Sequence, residues 1–509
     1  MLIIGMKKLF IILGLLCYLS TANAQVLVQE KLYKLGNTFR SFGNSTLTKQ
    51  GNVLIAGGSI SSPSHQSLLI LINPNGDSIW TKNGPLVSTG GFGVKQSPNN
   101  EIVLYTTKRY TSPAASGTVL QKYDGNGQLK LTMPYQTNSF DVGHSLLTAP
   151  DSGYYLGGKA IITGKNRRFA LSRTDSLGNL KWRKSYDWNL NDFYSDMQHT
   201  LNGNIIMYGI TEVPQRLKLL IVNQQGDSVL GRKLTIIGSP TRNERILSAS
   251  CGVTPLSDGG FAMAAEIDTS VAGAAPELGM VVKVDASLQP VWHYINRSVP
   301  DNISFTSSRE LTDGSIIMLG FERKGAASTP GNKFFLYRFS ATGSLINVYT
   351  FNSTIATQVQ AHTLEALPAD SSFIIGGSGL VTPFPNQSIG FYVAKVKIPG
   401  LPPAFQLPGP TLVTGLKSDV ASIKAYLGQN YPNPTTTEAI IPFSLPKDCK
   451  SAIISIREVA TGREIKKYDL KRGESSLKVN LSSFSNGLYL YSLIVDDKPI
   501  ATKKLAVMK

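Results

Sequence analysis

The feature that most constrains this chain is a unit of about fifty residues that returns along its first four hundred. It is clearest from Phe140 to Tyr186, where branched and aromatic bursts at Val142–Thr148, Tyr154–Gly158, Phe169–Arg173 and Leu180–Tyr186 are separated by PDSG, a longer polar stretch and DSLG. Short apolar bursts bounded by turn residues read as strands. The second burst recurs as VLIAGG at Val53, IVLYTT at Ile102, YYLGG at Tyr154, IIMYG at Ile205, FAMAA at Phe261, IIMLG at Ile316 and FIIGG at Phe373, at intervals of 49, 52, 51, 56, 55 and 57 residues. The turn before the fourth burst recurs near Gly76, Gly127, Gly178, Gly226, Gln289 and Gly343. Four strands per copy at this period, with glycine and aromatic residues in phase, is the pattern of a β-propeller blade.

The last copy supplies its third strand, GFYVAKVKIPG, and then runs into prolines without a fourth. A lone strand of the missing type, VLVQEKLYKLG, stands at Val26, before the first complete copy. Because a propeller must hide the edges of its terminal sheets, Val26–Tyr33 is expected to pair beside Gly390–Val396 and close a ring of seven blades. Six or eight blades stay open if the second copy, with Thr106 and Thr107 in place of a glycine pair, is misaligned.

Before the ring, Lys7 and Lys8, the apolar Leu9–Leu19 and Ala22-Asn23-Ala24 have the order of a signal peptide over residues 1–24, and soluble export is favoured over a lipid anchor at Cys17. Without that segment only Cys251 and Cys449 remain, a poor disulfide framework, so the fold should rest on packing. No other apolar stretch is long enough to span a bilayer. The net charge of +17 is scattered and forms no basic stripe, which argues against nucleic acid and leaves acidic polysaccharide or lipid headgroups as partners for the charge.

The first and third connections of each copy are short, whereas those between second and third strands are long and varied. One face of the disc should therefore carry Ser59–Ser67, Lys108–Gly117, Ala160–Arg168, Thr211–Leu217, Ile267–Gly279, Arg323–Asn332 and Ser378–Ile389, and ligands tend to meet such segments over a rigid scaffold. Arg109, Arg167, Arg168, Arg216 and Arg323 are the candidate ligand residues there, with Lys108, Lys165 and Lys324 beside them, and would favour acidic partners. His144, His199 and His362 fall in or near first strands, so a three-histidine metal site at the axis is conceivable, with hydrogen-bonded residues of a wet channel as the alternative. Asn73-Pro74-Asn75-Gly76-Asp77 and Asp124-Gly125-Asn126-Gly127 lack the last acidic ligand of a calcium loop and are explained by turn chemistry. Trp80, Trp182 and Trp292 share one phase and read as packing between blades. Ser152 and Ser257 lack the strand, turn, helix context of a nucleophile elbow. No catalytic residue, metal or cofactor is assigned.

After Lys397 a Pro- and Gly-rich stretch over 399–425 reads as a linker, and from Tyr426 about seven short strands suggest a small immunoglobulin-like sandwich. The opening YLGQNYPNPTTTEAIIPFSLP, with Asn430, Pro432, Asn433 and Pro434, then ATGREI with Gly462, LSSFSNGLYLYSL with Asn486, Gly487 and Tyr489, and the closing KKLAVMK with Lys503 and Lys504 follow one another in order. Residues 426–509 thereby resemble the type A C-terminal sorting domain of the type IX secretion system of Bacteroidota. The resemblance implies passage across the outer membrane, with the type IX machinery as partner and release or surface attachment as outcome. The ring over 25–398 more weakly resembles kelch-like or quinoprotein-like repeats.

The expected molecule is all-β, a seven-bladed β-propeller followed by a small sandwich. It is a secreted or surface-attached monomer and a non-catalytic binding or scaffold module for an extracellular glycan or protein. The alternative is an extracellular propeller enzyme acting on polysaccharide, or a quinone-dependent oxidoreductase.

Overall fold

The computed structural model describes residues 25–34, 39–61, 64–86, 92–109, 116–135, 140–161, 166–187, 191–211, 216–234, 245–248, 252–268, 277–297, 302–324, 329–367, 371–381, 388–407, 425–427, 430, 433–445, 449–459, 461–471, 474, 476–496 and 498–508. Their regular structure is all β-strand. The chain forms two compact units, residues 1–412 and 413–509. The expected signal peptide lies outside the described residues, as do 408–424 of the expected linker.

Unit one is a seven-bladed propeller. Blade 1 runs Phe39–Leu47, Val53–Ser61, Ser64–Ile72, Ser78–Leu86, and blade 2 runs Phe92–Gln96, Ile102–Arg109, Ser116–Tyr123, Leu129–Tyr135. Blade 3 comprises Phe140–Thr148, Tyr154–Ile161, Arg168–Thr174 and Leu180–Tyr186, and blade 4 Asp192–His199, Ile205–Thr211, Arg216–Val222 and Ser228–Leu234. In blade 5 the innermost strand is split into Arg245–Ser248 and Val253–Pro255, ahead of Phe261–Asp268, Glu277–Val284 and Pro290–Ile295. Blade 6 is Asn302–Glu310, Ile316–Lys324, Thr329–Phe339 and Leu345–Asn352. Blade 7 takes Gln358–Leu367, Ser372–Val381 and Ser388–Lys397 from one end of the repeat and Val26–Lys34 from the other.

The closing strand is antiparallel to Ser388–Lys397, from Val26 opposite Lys397 to Lys34 opposite Gly390. Its side chains also reach both neighbours. Tyr33 donates to the Gly76 carbonyl and Lys31 pairs with Asp77 in blade 1, while Glu30 accepts from Ser353 and Thr354 just past blade 6.

A blade cannot bury its own two faces, so the core lies between blades. Leu54, Ala56, Leu69 and Leu71 of blade 1 meet Phe92, Val94, Leu104 and Tyr123 of blade 2. Comparable clusters fill the other junctions round the ring, including the one between blades 7 and 1 where Ile374, Phe391 and Val393 meet Val53, Ile55 and Leu68. Each fully buried branched side chain there contributes about 1.5–3 kcal/mol, which makes the junctions and not the single sheets the stable unit.

The tight third connections have a common cause. The Asn73 carboxamide oxygen accepts from the amides of Asn75 and Asp77, Asp124, Asp175, Asn223 and Asp285 act likewise, and the turn closes on Gly76, Gly127, Gly178 or Gly226 at positive φ. In blade 5 this position is Leu288, at φ 59°.

Two expectations need correction. The segment Ser59–Ser67 is not a loop: the ladder continues through Ser59 opposite Gln66 and Ile60 opposite His65 to Ser61 opposite Ser64. The stretch after Lys397 does not begin as a linker either, because Ile398 and Leu401 are buried, Thr312 donates to the Pro403 carbonyl at 2.8 Å and Phe405 to that of Glu310 at 2.7 Å.

Unit two is a seven-stranded sandwich. One sheet orders Tyr426–Leu427, Glu438–Ser444 and Ser476–Asn480, the other Glu464–Asp469, Ala452–Glu458, Gly487–Val495 and Lys498–Val507. Ile441, Phe443, Ile454, Ile456, Tyr491, Leu493 and Leu505 fill the space between them.

Candidate functional site

Basic residues of the long-connection face are largely turned back into the propeller. Arg168 pairs with Asp187, Arg323 meets the Glu266 carboxylate at 2.8 Å, and Lys324 lies 3.5 Å from Glu322. Arg323 and Glu266 join neighbouring blades, Lys324 and Glu322 lie on one strand, and both acids are buried, so these cations serve packing as well as solvation. Arg167 instead lies over the Phe193 ring, 5.1 Å from its centroid, and Lys159 approaches the same ring at 5.7 Å. Burial and then the Arg167 charge push the Lys159 ammonium below its ordinary range. Arg216 opens the third strand of blade 4 opposite Thr211 and is half-buried. Arg109 stands opposite Ser116 and Lys108 opposite Gly117; their side chains, and Lys165, lie outside the described residues.

At the axis, the informative residue of each innermost strand is the one opposite the second residue of the repeated second-strand burst. Thr46, Lys95, Leu147, Gln198, Thr254, Arg309 and Glu365 occupy this register in blades 1 to 7. Several lean onto the following blade. Thr254 donates to the Ser308 carbonyl at 3.0 Å, Arg309 meets Glu365 at 2.9 Å, and Glu365 accepts from Ser45 at 2.7 Å, which stitches blades 5, 6, 7 and 1 together. Enclosure lowers the Lys95 ammonium against the pull of Glu365 and Asp196, and raises the Asp196 carboxyl. Lys95, Arg309 and Glu365 were legible only by counting back from the repeated second strand, seven residues in blades 2 and 6 and eight in blade 7, while Asp196 lies two residues before the Gln198 that the same count reaches in blade 4.

His144 and His362 sit at β-bulges of their innermost strands, a position that bends the strand and frees one residue from pairing. Burial, then Lys159 for His144 and Arg323 for His362, pushes both imidazoles down to about 4. His199 shares a hydrogen with the Thr148 carbonyl at 2.8 Å. Among the described residues no group of three histidines, cysteines or acids is placed to hold a metal ion.

In unit two the first and last motifs converge. The Asn433 side chain donates to the Lys504 carbonyl at 3.2 Å and accepts from the Ala506 amide at 2.8 Å, while Thr435 exchanges backbone bonds with Ala506 and Met508. Asn430 is buried and donates its amide to the Tyr491 hydroxyl; Pro434 is exposed and Pro432 lies outside the described residues. Gly462 turns at φ 68°, Gly487 pairs with Val507 after Asn486, and Tyr489 is buried with its hydroxyl on the Ser485 carbonyl. Lys503 and Lys504 are both exposed and project from opposite faces of the last strand. A motif that looks linear in the sequence is therefore one two-ended surface.

Residues 429–508 match the family model described as a secretion system C-terminal sorting domain. That sorting tail indicates export, to the cell surface or beyond it. No curated protein matches the chain. Among solved structures, cobalt-substituted Synechocystis apocarotenoid oxygenase is similar at 14% identity and a TM-score of 0.35, over 60% of this chain and 71% of that one. A subtype N10 neuraminidase-like protein of A/little yellow-shouldered bat/Guatemala is similar at 8% identity and a TM-score of 0.36, over 73% and 98%. These similarities are too low to carry any activity to this chain. Among the described residues no helix is long and apolar enough to cross a membrane.

Proposed function

We propose that the chain is a non-catalytic binding or scaffold module, carried across the outer membrane by its sorting domain, and that it meets an extracellular glycan or protein through the long-connection face. The observation that carries this reading is a closed, packed ring delivered by a sorting tail. Such a ring holds the strand ends of six long, varied connections at fixed separations, so their chemistry can change without cost to the core. Among the described residues Arg167 and Arg216 are the cations of that face without a carboxylate partner, and an acidic glycan is the partner they suit best. Binding to arrays of extracellular glycans and matrix proteins, repeated with Arg167 and Arg216 changed to Ser, tests it. Acidic glycans bound by the wild type and lost in the variant support the reading; binding indifferent to both changes, or protection mapped to the short-turn face, overturns it.

One observation favours a second reading, an enzyme working at the axis. Lys95 and Asp196 stand enclosed at the axis within reach of each other's charge, and burial displaces both toward their neutral forms, as it does for groups that exchange protons in an active site. Turnover of an extracellular polysaccharide that is lost in Lys95→Met with binding retained would favour it.

A further inference from the structure

The register of the blades singles out one position. In the third strand, the residue opposite the fifth residue of the repeated second-strand burst (counted from Phe373 in blade 7) points at the preceding blade and fills the junction: Leu68, Val119, Lys218, Met280, Phe335 and Tyr392 in blades 1, 2, 4, 5, 6 and 7. In blade 3 it is Ala170, opposite Gly158. Where every other junction is plugged by a larger side chain, the junction between blades 2 and 3 holds a half-open cavity of about 320 Å³. That is the small end of the range of about 300–1,000 Å³ occupied by ligand sites.

The walls of the cavity have a definite chemistry. Blade 2 contributes Tyr105, Met133 and Tyr135, and blade 3 contributes Ala170, Ser172 and Arg183. Tyr135 is fixed, since its hydroxyl donates to the Gly178 carbonyl at 2.6 Å. Tyr105 is fixed too, because its ring lies so close over Gly143 that a methyl group there would come within 2.7 Å. No carboxylate is among the lining residues, and Arg183 brings a guanidinium to the wall opposite Ser172 in the ladder. Lys159 lines the cavity as well, but its ammonium is over Phe193 on the other side of the blade.

We propose that this cavity is a ligand site for a single six-membered ring that carries a carboxylate. Two tyrosines give flat, part-polar surfaces to a ring, and the planar fork of Arg183 matches a carboxylate in a way a point charge does not. A hexuronic sugar and an aromatic acid share this chemistry. The site is separate from the long-connection face and stands or falls independently of what binds there.

The test uses the full chain with four probes: methyl glucuronide, benzoate, methyl glucoside and acetate, followed by saturation-transfer NMR and calorimetry. Saturable binding of the glucuronide or the benzoate, at least about tenfold tighter than the glucoside and acetate, is expected. The stronger of the two identifies the source as carbohydrate or aromatic acid. Ala170→Met, which supplies the side chain blade 5 already uses, should abolish binding and leave the tryptophan-monitored urea midpoint unchanged or higher. Arg183→Gln should erase the preference for the carboxylate while the fold stays intact. If neither ring acid binds more tightly than acetate, or if both variants bind as the wild type does, the proposal is wrong.

Discussion

Glu30 is the residue on which closure of the ring can be tested with a single substitution. It stands on the closing strand and accepts from the Ser353 hydroxyl at 2.7 Å, the Thr354 amide at 2.7 Å, the Thr354 hydroxyl, and the Tyr392 hydroxyl at 2.7 Å. Tyr392 is fully buried, so Glu30→Ala takes the carboxylate from its hydroxyl and leaves only the weaker Ser353 hydroxyl beside it, at a cost of about 1–3 kcal/mol. The Ser353 and Thr354 groups are nearer water and together add about 1 kcal/mol, giving a loss of roughly 2–4 kcal/mol. All four tryptophans, at 80, 182, 188 and 292, belong to the propeller, so fluorescence in urea reads this unit within the full chain. Burial alone would raise the Glu30 carboxyl, but the bonds from Thr354, Ser353 and Tyr392 outweigh it and hold the folded group below its ordinary 4.5. A lowered folded value contributes stability that is present above 4.5 and is lost as pH falls through the folded value. The gap between wild type and Glu30→Gln should therefore be full at neutral pH and shrink below pH 4.5. A loss under about 1 kcal/mol for Glu30→Ala, or a gap that grows on acidification, would refute the reasoning.

Three further outcomes follow from local geometry. Gly51 and Gly226 share φ of 79°, but a methyl group at Gly51 meets nothing within 4 Å while one at Gly226 comes within 2.6 Å of Trp182. Gly51→Ala should cost about 1 kcal/mol and Gly226→Ala about 2–3 kcal/mol in the same urea assay, and equal losses would contradict the contact. Leu288→Gly relieves about 1 kcal/mol of backbone strain yet uncovers a fully buried side chain worth about 2–3 kcal/mol, so the variant should be less stable. Asn433→Ala should cost the sandwich about 1–2 kcal/mol, seen as faster proteolysis of the C-terminal unit, with the tryptophan transition unchanged.

The architecture was legible because a blade repeats its turn chemistry: Gly76, Gly127, Gly178, Gly226 and Gly343 mark one connection, and the lone strand at Val26 supplies the fourth strand missing from the last copy. What local pattern could not convey was which side chains meet. Arg168 and Arg323 look alike in the sequence to any surface arginine, and only the approach of Asp187 and Glu266 shows their charge to be matched internally. Ser59–Ser67 reads as a loop because serines and a proline dominate it, whereas cross-strand pairing carries the ladder through. The axial residues Lys95, Asp196, Arg309 and Glu365 are separated by up to 270 residues, and they gain meaning only once the blades are laid in register. Asn433 and Lys504 are likewise distant motif residues until the sandwich forms.

On the proposed function, the propeller folds by itself and is exported by the unit that follows it. Fractionation of cells expressing the full chain or residues 1–425 tests this most directly, with tryptophan fluorescence of the recovered protein as the check on folding. The full chain should reach the surface or medium, whereas the truncated chain should carry a native tryptophan signal and remain in the periplasm. A truncated chain that reaches the surface or medium as efficiently as the full chain would contradict the sorting role, and one recovered only unfolded would contradict the independence of the ring.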